Sequence, residues 1–366
     1  MNSPRHKQLQ NLLNQGKYFK MICGAGNEDL EEVKRLSMIY TLSGAKGLDI
    51  SANLSVVESC VKGVDLAFEL SHKLGVNLSI RPFIMVSIGM PGDHHVRKAI
   101  IDPKTCIKCG LCVSPVCPTE AILPIDVGEE VAFVIDDKCI GCGDCSAICP
   151  KPEIISYYHD EKALEEILPQ CIELGAENIE LHAAIAEDEY IMKEWEIVNT
   201  VNPNNHNSMC LDRLHLGNFA LKNRIKQAKD IAKDNLIIQA DGYPMSGGEN
   251  NYNTTLQAVA TADVINKEFN MRLNKKTKSI SYKKYNEVNI LMSGGTNSLT
   301  STLANQAGVR FQGISIGTYA RNIIYKNIKE KYGYDDNHFY SDILNINEAV
   351  LMAKKLVEKN IGKISE

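Results

Sequence analysis

The chain has 366 residues, of which 44% are hydrophobic and 23% charged, and its formal net charge is −5. This composition excludes a disordered chain, and the length fits one large domain with an insertion or two ordinary domains. No apolar run reaches the roughly 18–20 residues that a membrane-spanning helix needs, and the polar N-terminus does not resemble a signal peptide. We therefore expect a cytoplasmic protein without a membrane span.

The negative charge is concentrated in one segment. Residues 99–156 contain nine acidic residues and four lysines, so the rest of the chain is electrically balanced. An acidic segment argues against a nucleic-acid partner and favours docking to a basic redox partner protein.

Short apolar runs predict eight β-strands with helical patterns between them. In chain order, the predicted strands are Phe19–Cys23, Gly47–Ile50, Leu78–Ile88, Asn178–Leu181, Ser208–Leu211, Leu236–Ala240, Val288–Met292 and Gln312–Ile316. The predicted helices include Leu30–Ser43, Val56–Leu74, Glu161–Leu174, Ala220–Lys233, Thr254–Asn270, Ser298–Ala307 and Tyr319–Lys331. This count predicts an α/β fold of the (β/α)8 TIM-barrel type, because Rossmann and flavodoxin-like folds would use only about five or six strands.

Eight of the twelve cysteines form two runs between the third and fourth predicted strands. The first run, CIKCGLCVSPVCP, begins at Cys106, and the second, CIGCGDCSAICP, begins at Cys139. This is the spacing of bacterial ferredoxins, in which the fourth cysteine of each run binds the other cluster. It predicts two [4Fe–4S] clusters, one held by Cys106, Cys109, Cys112 and Cys149 and the other by Cys139, Cys142, Cys145 and Cys117.

A pair of zinc sites is the competing interpretation of these cysteines. Zinc ribbons normally place two CxxC pairs well apart and lack the third cysteine of each run. Four residues separate Cys112 from Cys117, one more than in the usual ferredoxin pattern, which predicts a bulge near Pro115.

The position of the cysteines predicts the domain organisation. We expect a ferredoxin-type module over residues 99–156, inserted into a barrel formed by residues 1–98 and 157–366. The insertion follows the third strand, and loops that follow strands lie on the face of a barrel where active sites are built. The clusters should therefore lie beside the barrel mouth.

Polar residues end several predicted strands on this same face: Asp49, Glu180, His182, Asp212, Arg213, Gln239 and Asp241. Glu180 and His182 are two residues apart, so in a strand both point to the same side. Together with Asp241 they are candidates for general acid–base catalysis. The alternative is that these side chains only fill the barrel top with hydrogen bonds.

Two glycine segments follow the last two strands. Gly294, Gly295 and Thr296 follow the seventh strand, and Gly317 and Thr318 follow the eighth. Barrels often bind phosphate at these loops, so the segments predict a bound phosphate group, either of FMN or of a phosphorylated metabolite, with Arg321 as a further donor. Glycines that merely end strands are the alternative. The Ser246-Gly247-Gly248 segment is expected to line the same cavity.

Four cysteines lie outside the two runs. Cys23 ends the first strand, where it is either a nucleophile facing the cavity or a core residue. Cys60, Cys171 and Cys210 lie in helix or strand patterns and are interpreted as core residues.

Several segments between Tyr18 and Arg321 resemble the cyanobacterial light-dependent period protein family, LdpA. They are FKMICGAGNEDLEEV, LDISAN, the two cysteine runs, IELHAA, IIQADGYPMSGG, LMSGGTN and IGTYAR. The resemblance implies an iron–sulfur protein that reports cellular redox state to the circadian input pathway, with clock-kinase partners. It implies no defined catalytic residues.

Two main functional hypotheses follow. The first is a redox sensor or electron-transfer protein. The second is an iron–sulfur oxidoreductase that passes electrons between the clusters and a flavin or phosphorylated substrate in the barrel. A structural scaffold is a third hypothesis, and the polar residues at the strand ends argue against it.

Overall fold

The computed structural model describes residues 3–89, 97–123, 133–159, 164–184, 188–245, 251–274, 276, 279–332, 339–340 and 342–362. The described strands are β1 Tyr18–Gly24, β2 Gly47–Ser51, β3 Phe83–Gly89, β4 Arg97–Ile101, β5 Ile155–His159, β6 Asn178–His182, β7 Asn207–Asp212, β8 Leu236–Asp241, β9 Met271–Leu273, β10 Ile280–Tyr282, β11 Asn289–Ser293 and β12 Gly313–Ile316. The described α-helices are α1 Pro4–Asn14, α2 Leu30–Leu42, α3 Leu54–Ser71, α4 Asp144–Ile148, α5 Leu164–Glu173, α6 Asp188–Val201, α7 Asn218–Ala232, α8 Asn251–Ile265, α9 Thr300–Gln306, α10 Thr318–Tyr332 and α11 Ile343–Ile361.

Eight strands close into a parallel barrel in the order β1-β2-β3-β6-β7-β8-β11-β12, with β12 pairing back to β1. The predicted (β/α)8 architecture is confirmed. The strands are buried on both faces, as expected of a parallel sheet whose outer side is covered by helices. The register pairs Asp241 on β8 with Asp212 on β7 and Ser293 on β11, which gathers the polar strand ends at one mouth.

The element boundaries differ from the predictions where local chemistry interrupts a pattern. The third strand begins at Phe83 rather than at the predicted Leu78. Pro82 precedes it and has no N–H to donate to a strand ladder, which accounts for the late start. The predicted helix over Glu161–Leu174 is described from Leu164, because residues 161–163 lie outside the described part of the chain. Helices α1, α6 and α11 were not among the predicted segments.

The end of the barrel opposite the mouth is covered by α1. Ser3 caps this helix by accepting the His6 N–H, and Pro4 occupies its first turn. Leu9 and Leu13 are 1% exposed and pack in one apolar cluster with the start of β1. Burial of each such side chain stabilises the fold by about 1.5–3 kcal/mol. Because α1 packs against this end of the barrel, this end is closed and the mouth is the open end.

The cysteine segment lies between β4 and β5, which pair as a two-stranded antiparallel sheet. Its cysteines pack with Ala99, Ile101 and Ile155 in a small core separate from that of the barrel. The module is fixed to the loop after β1. There, the Glu28 N–H donates to the Asp137 carbonyl at 2.7 Å, and Lys98 Nζ donates to the carbonyls of Gly26 and Cys139.

The short strands β9 and β10 pair with each other in antiparallel fashion in the segment between α8 and β11. Among the described residues, no helix combines the length and apolar character needed to cross a bilayer.

Candidate functional site

A cavity of about 440 Å³ opens at the barrel mouth, between the strand ends and the second cysteine run. The barrel contributes the polar residues Asp49, Glu180, His182, Cys210 and Asp241 to its wall. The cysteine segment contributes Ile140, Cys142, Gly143, Asp144 and Ala147. The structure therefore brings the predicted catalytic residues and one predicted cluster ligand to a single cavity, whose size is typical of sites for small molecules and cofactors.

A buried ion network occupies the barrel interior below this cavity. Lys20 Nζ lies 2.6 Å from Asp49 Oδ2 and also donates to Glu180 Oε2. Burial alone would lower the pKa of Lys20, but the two carboxylates outweigh it and raise the pKa above its ordinary value. Lys20 therefore stays charged and offsets part of the negative charge of both acids.

Glu180 uses its two oxygens differently. Oε2 faces Lys20 and accepts from Ser208 Oγ at 2.8 Å. Oε1 faces the cavity side, where it accepts from Cys210 Sγ at 3.0 Å and lies 3.7 Å from His182 Nε2. Burial acts to raise the pKa of Glu180, but Lys20 and His182 outweigh it and lower the pKa. Glu180 is therefore a carboxylate whose Oε2 is held by Lys20 and Ser208, while its Oε1 is directed at Cys210 and His182.

Asp241 lines the cavity and is only 2% exposed. Within the described residues, neither of its carboxyl oxygens has a hydrogen-bond partner. Burial, and then the nearby Glu180, raise the pKa of Asp241 well above its ordinary value, which favours the protonated form of the side chain. A buried carboxyl group without a hydrogen-bond partner destabilises the folded state unless a ligand bonds to it.

Cys210 was interpreted as a core residue, and the structure places it in the cavity wall. Its thiol donates to Glu180 and accepts from Gln239 Nε2 at 3.0 Å, while Gln239 Oε1 accepts from Ser315 Oγ at 2.8 Å. Lys20 was also missed as a site residue. The signal was present in the sequence, since a lysine in the middle of the apolar run YFKMIC is unusual for a buried strand.

Other predicted strand-end residues have local structural roles. Asp212 accepts from the backbone N–H groups of Leu214 and His215 and from the His215 ring, which organises the turn after β7. Arg213 pairs with Asn218 at the surface. Cys23 is fully buried, and burial raises the pKa of its thiol well above the ordinary value, as expected of an unreactive core cysteine.

The two glycine loops meet at the cavity, but their donors are engaged differently from the prediction. The Gly295 N–H donates to the Met245 carbonyl at 2.7 Å, and Thr296 Oγ1 donates to the Ser315 carbonyl. Arg321 is paired with Glu32, with Nη2 at 2.8 Å from Oε2. Gly317 and Thr318 line the cavity where α10 begins, so the N-terminus of that helix lies on the wall.

The glycines after β11 also have a structural explanation. Gly295 has a φ of +65°, and a Cβ there would lie 2.4 Å from the Cβ of Thr254. The loop thus requires glycine for its own packing. The Ser246-Gly247-Gly248 segment lies outside the described residues.

The module cysteines differ in their environments. Cys117, Cys139 and Cys145 are buried, whereas Cys109 is exposed. Burial, and then Asp144, Cys145 and Cys117, raise the pKa of the Cys142 thiol, so Cys142 shares its surroundings with two cysteines of the set predicted from crossed ligation. Backbone N–H groups point at the sulfurs, from Ala99 to Cys139 at 3.3 Å and from Ala121 to Cys117 at 3.2 Å. Such donors stabilise thiolates that bind an iron–sulfur cluster.

Comparisons with known proteins identify two related domains in this chain. A model described as the light dependent period A C-terminal domain matches residues 171–359, and a 4Fe-4S dicluster domain model matches residues 99–157. Light dependent period A of Synechococcus elongatus is 30% identical over 238 residues, covering 64% of this chain and 63% of that protein. The match therefore spans less than two thirds of that relative.

Two further similarities differ in how much of the chain they cover. Ferredoxin 7Fe of Hydrogenibacillus schlegelii is 36% identical over 67 residues, covering 18% of this chain and 77% of that protein. Among solved structures, the YdjI aldolase of Escherichia coli aligns over 98% of this chain and 96% of its own, with 9% identity and a TM-score of 0.44.

Proposed function

The chain belongs to the light dependent period A family, and from this premise we propose that it is an iron–sulfur oxidoreductase acting on a small molecule in the barrel mouth. The coarser statement, an iron–sulfur redox protein, rests on the dicluster domain over residues 99–157 and on the family relationship. The finer one is carried by a single observation: Cys142 and the buried acids Glu180 and Asp241 line the same cavity.

We propose that the module holds two [4Fe–4S] clusters by crossed ligation. Cys106, Cys109, Cys112 and Cys149 would hold one, and Cys117, Cys139, Cys142 and Cys145 the other. When bound, such clusters supply single electrons at potentials set by hydrogen bonds to the sulfurs and by burial. On this basis, residues 99–156 form the module, and residues 1–98 and 157–366 form the barrel.

The exposed side of the module is where a redox partner protein would dock. Cys109 is exposed, and Ile107 and Leu111 beside it are 48% and 50% exposed. The module also carries the net negative charge of the chain. An exposed apolar patch on a module of net negative charge favours a partner whose docking face is basic with an apolar centre.

The barrel residues would handle protons and position the ligand. Asp241 is buried and its raised pKa favours the protonated form, so it could donate a proton to the ligand from within the cavity. Glu180 is fixed by Lys20 and Ser208, so its second oxygen can hold His182 or a polar group of the ligand in place. The cavity shelters these groups from water, which strengthens each interaction.

A phosphate group would anchor the ligand at the N-terminus of α10. Thr318 begins this helix and, with Gly317, lines the cavity. Helix N-termini attract anions through their N–H groups and partial positive charge. FMN is the first candidate because it exchanges single electrons, and a phosphorylated metabolite is the second. The Gly295 N–H already donates to the Met245 carbonyl, so it is not available to the phosphate. The loop after β11 would therefore only form part of the cavity wall.

Incubation with FMN under anaerobic conditions, followed by desalting and release of bound flavin, tests this ligand. We expect retention of flavin by the wild type and at least a tenfold loss in Thr318→Glu, because the new carboxylate repels phosphate. A glutamate near a helix N-terminus favours the helix, so the variant should fold. Thr318→Gln is the matched neutral control and should retain binding. Equal flavin retention by Thr318→Glu would contradict the anchor.

A redox sensor is the second candidate function, and the family relationship favours it. In this case the barrel would relay the state of the clusters to partners, including a clock-kinase complex. The absence of any retained flavin or co-purified small molecule, together with redox-dependent binding of a partner protein, would support the sensor over the oxidoreductase.

A further inference from the structure

Glu180, His182 and Cys210 place a carboxylate oxygen, an imidazole nitrogen and a sulfur within 4.8 Å of one another. We propose that this triad binds a divalent transition-metal ion, with zinc as the best fit, at the inner end of the barrel cavity. This site is separate from the cysteine module, and the proposal does not depend on the clusters or on the proposed oxidoreductase activity.

The donor set is typical of zinc. Zinc accepts mixed nitrogen, sulfur and oxygen ligands, whereas magnesium and calcium prefer oxygen alone. The separations suit a shared ion, since Glu180 Oε1 lies 3.0 Å from Cys210 Sγ and 3.7 Å from His182 Nε2. An ion among these three atoms would replace the proton that the thiol now donates to Glu180.

The residues behind the triad orient two of its ligands. Lys20 and Ser208 hold the far oxygen of Glu180, which leaves Oε1 directed at Cys210 and His182. Gln239 Nε2 donates to the Cys210 sulfur, and Ser315 in turn holds Gln239. Metal ligands in proteins are commonly fixed by such outer hydrogen bonds, which also stabilise the thiolate form of a cysteine.

A second observation points to an occupant at this place. Asp241 is only 2% exposed and lines the same cavity. Within the described residues, neither of its carboxyl oxygens has a hydrogen-bond partner. Three protein ligands leave the fourth position of a tetrahedral zinc ion to water or substrate. Asp241 lines the same cavity as the triad, so its carboxyl group is a candidate partner for whatever occupies that position.

Charge also favours a cation here. The side chains of Asp49 and Glu180 carry two negative charges against the single positive charge of Lys20. A divalent ion that displaces the Cys210 proton brings the formal charge of this buried group to zero. Buried charges are less costly when they are paired in this way.

Zinc K-edge X-ray absorption on the full chain tests the proposal without interference from cluster iron. After anaerobic loading of iron and sulfide, exposure to zinc and desalting, we expect about one zinc per chain. Its shell should contain one sulfur at about 2.3 Å and otherwise nitrogen and oxygen at about 2.0–2.1 Å. A shell of four sulfurs would place zinc in the module and overturn the proposal, as would zinc no higher than in the buffer.

Variants with a matched control assign the ligands. Cys210→Ser should remove the sulfur from the zinc shell and lower zinc retention at least tenfold, and His182→Gln should lower retention similarly. Cys60→Ser is the control, because Cys60 is equally buried but bonds Ser37 away from the cavity. Unchanged far-ultraviolet circular dichroism and unchanged iron and sulfide contents establish that the barrel and the module of each variant are folded. Zinc retention by Cys210→Ser with an unchanged sulfur shell would also overturn the proposal.

Discussion

Cys142 of the cysteine module and Asp241 at the end of β8 line one cavity, although 99 positions separate them in the sequence. The barrel closes its opposite end with α1, so the mouth is where its polar side chains meet the module. The proposed cluster at Cys142 and the buried Asp241 would combine a source of electrons with a source of protons in one cavity. This juxtaposition is the reason for preferring an oxidoreductase.

The buried lysine should be essential for stability. Lys20→Met leaves Asp49 and Glu180 without their cation, so we expect a loss of about 3–5 kcal/mol in the free energy of unfolding. Anaerobic denaturation in urea measures it. Lys193→Met is the control, because Lys193 forms an exposed pair with Glu189 and its loss should leave the midpoint unchanged. A midpoint unchanged in Lys20→Met would show that the network is not formed.

Asp241 should make the metal-free protein less stable as pH rises. Its pKa is raised on folding, so the folded state holds a proton that the unfolded state loses above its ordinary pKa of about 3.9. Stability then falls by up to about 1.4 kcal/mol per pH unit until the folded group ionises. Asp241→Asn removes this dependence.

Urea midpoints at pH 5 and pH 8 check this prediction. Asp241→Asn should exceed the wild type in stability, by more at pH 8 than at pH 5. Asp65→Asn alters an exposed carboxylate that pairs with Arg81, and it should follow the wild-type pH profile. The same profile for Asp241→Asn and wild type would mean that Asp241 is ionised in the folded protein.

Crossed ligation predicts which cluster each fourth cysteine supports. Cys149→Ser should impair the cluster of the first run and leave that of the second, with loss of up to about half of the bound iron. Iron and sulfide analysis with electron paramagnetic resonance of the reduced protein measures both clusters. Cys171→Ser, a buried helix cysteine outside the module, should keep the full content. Loss of the second-run signal instead would contradict the crossed assignment.

Lys98 should hold the module against the barrel. Its Nζ donates to carbonyls on both sides, Gly26 in the barrel and Cys139 in the module. Lys98→Met removes these bonds, at a cost of about 1–3 kcal/mol for the buried groups left unpaired. We expect faster hydrogen exchange in residues 136–148, with Lys104→Met as an exposed control. Equal exchange rates in both variants would show that other contacts fix the module.

The fold could be predicted because its strands are short apolar runs separated by helical patterns. The iron–sulfur domain could be predicted because its cysteines lie close together in the sequence. The barrel network could not be predicted in full, since Lys20, Glu180, Cys210 and Gln239 lie on four strands and their contacts depend on register. A buried cysteine has the same appearance in sequence whether it packs in a core or faces a cavity.

The glycine loops show a different difficulty. A glycine required for close packing cannot be distinguished by sequence from one that admits a ligand. Gly295 is constrained by Thr254 and its N–H is used by Met245, whereas Gly317 has no such constraint and lies at the start of α10. The predicted phosphate site therefore no longer includes both loops, and only the N-terminus of α10 is retained as its anchor.

Metal content of the anaerobically prepared chain tests the central claim most directly, because every redox role requires the clusters. Two cubane clusters predict about eight iron and eight acid-labile sulfide per chain. Zinc in the module in place of iron, with no labile sulfide, would contradict the account.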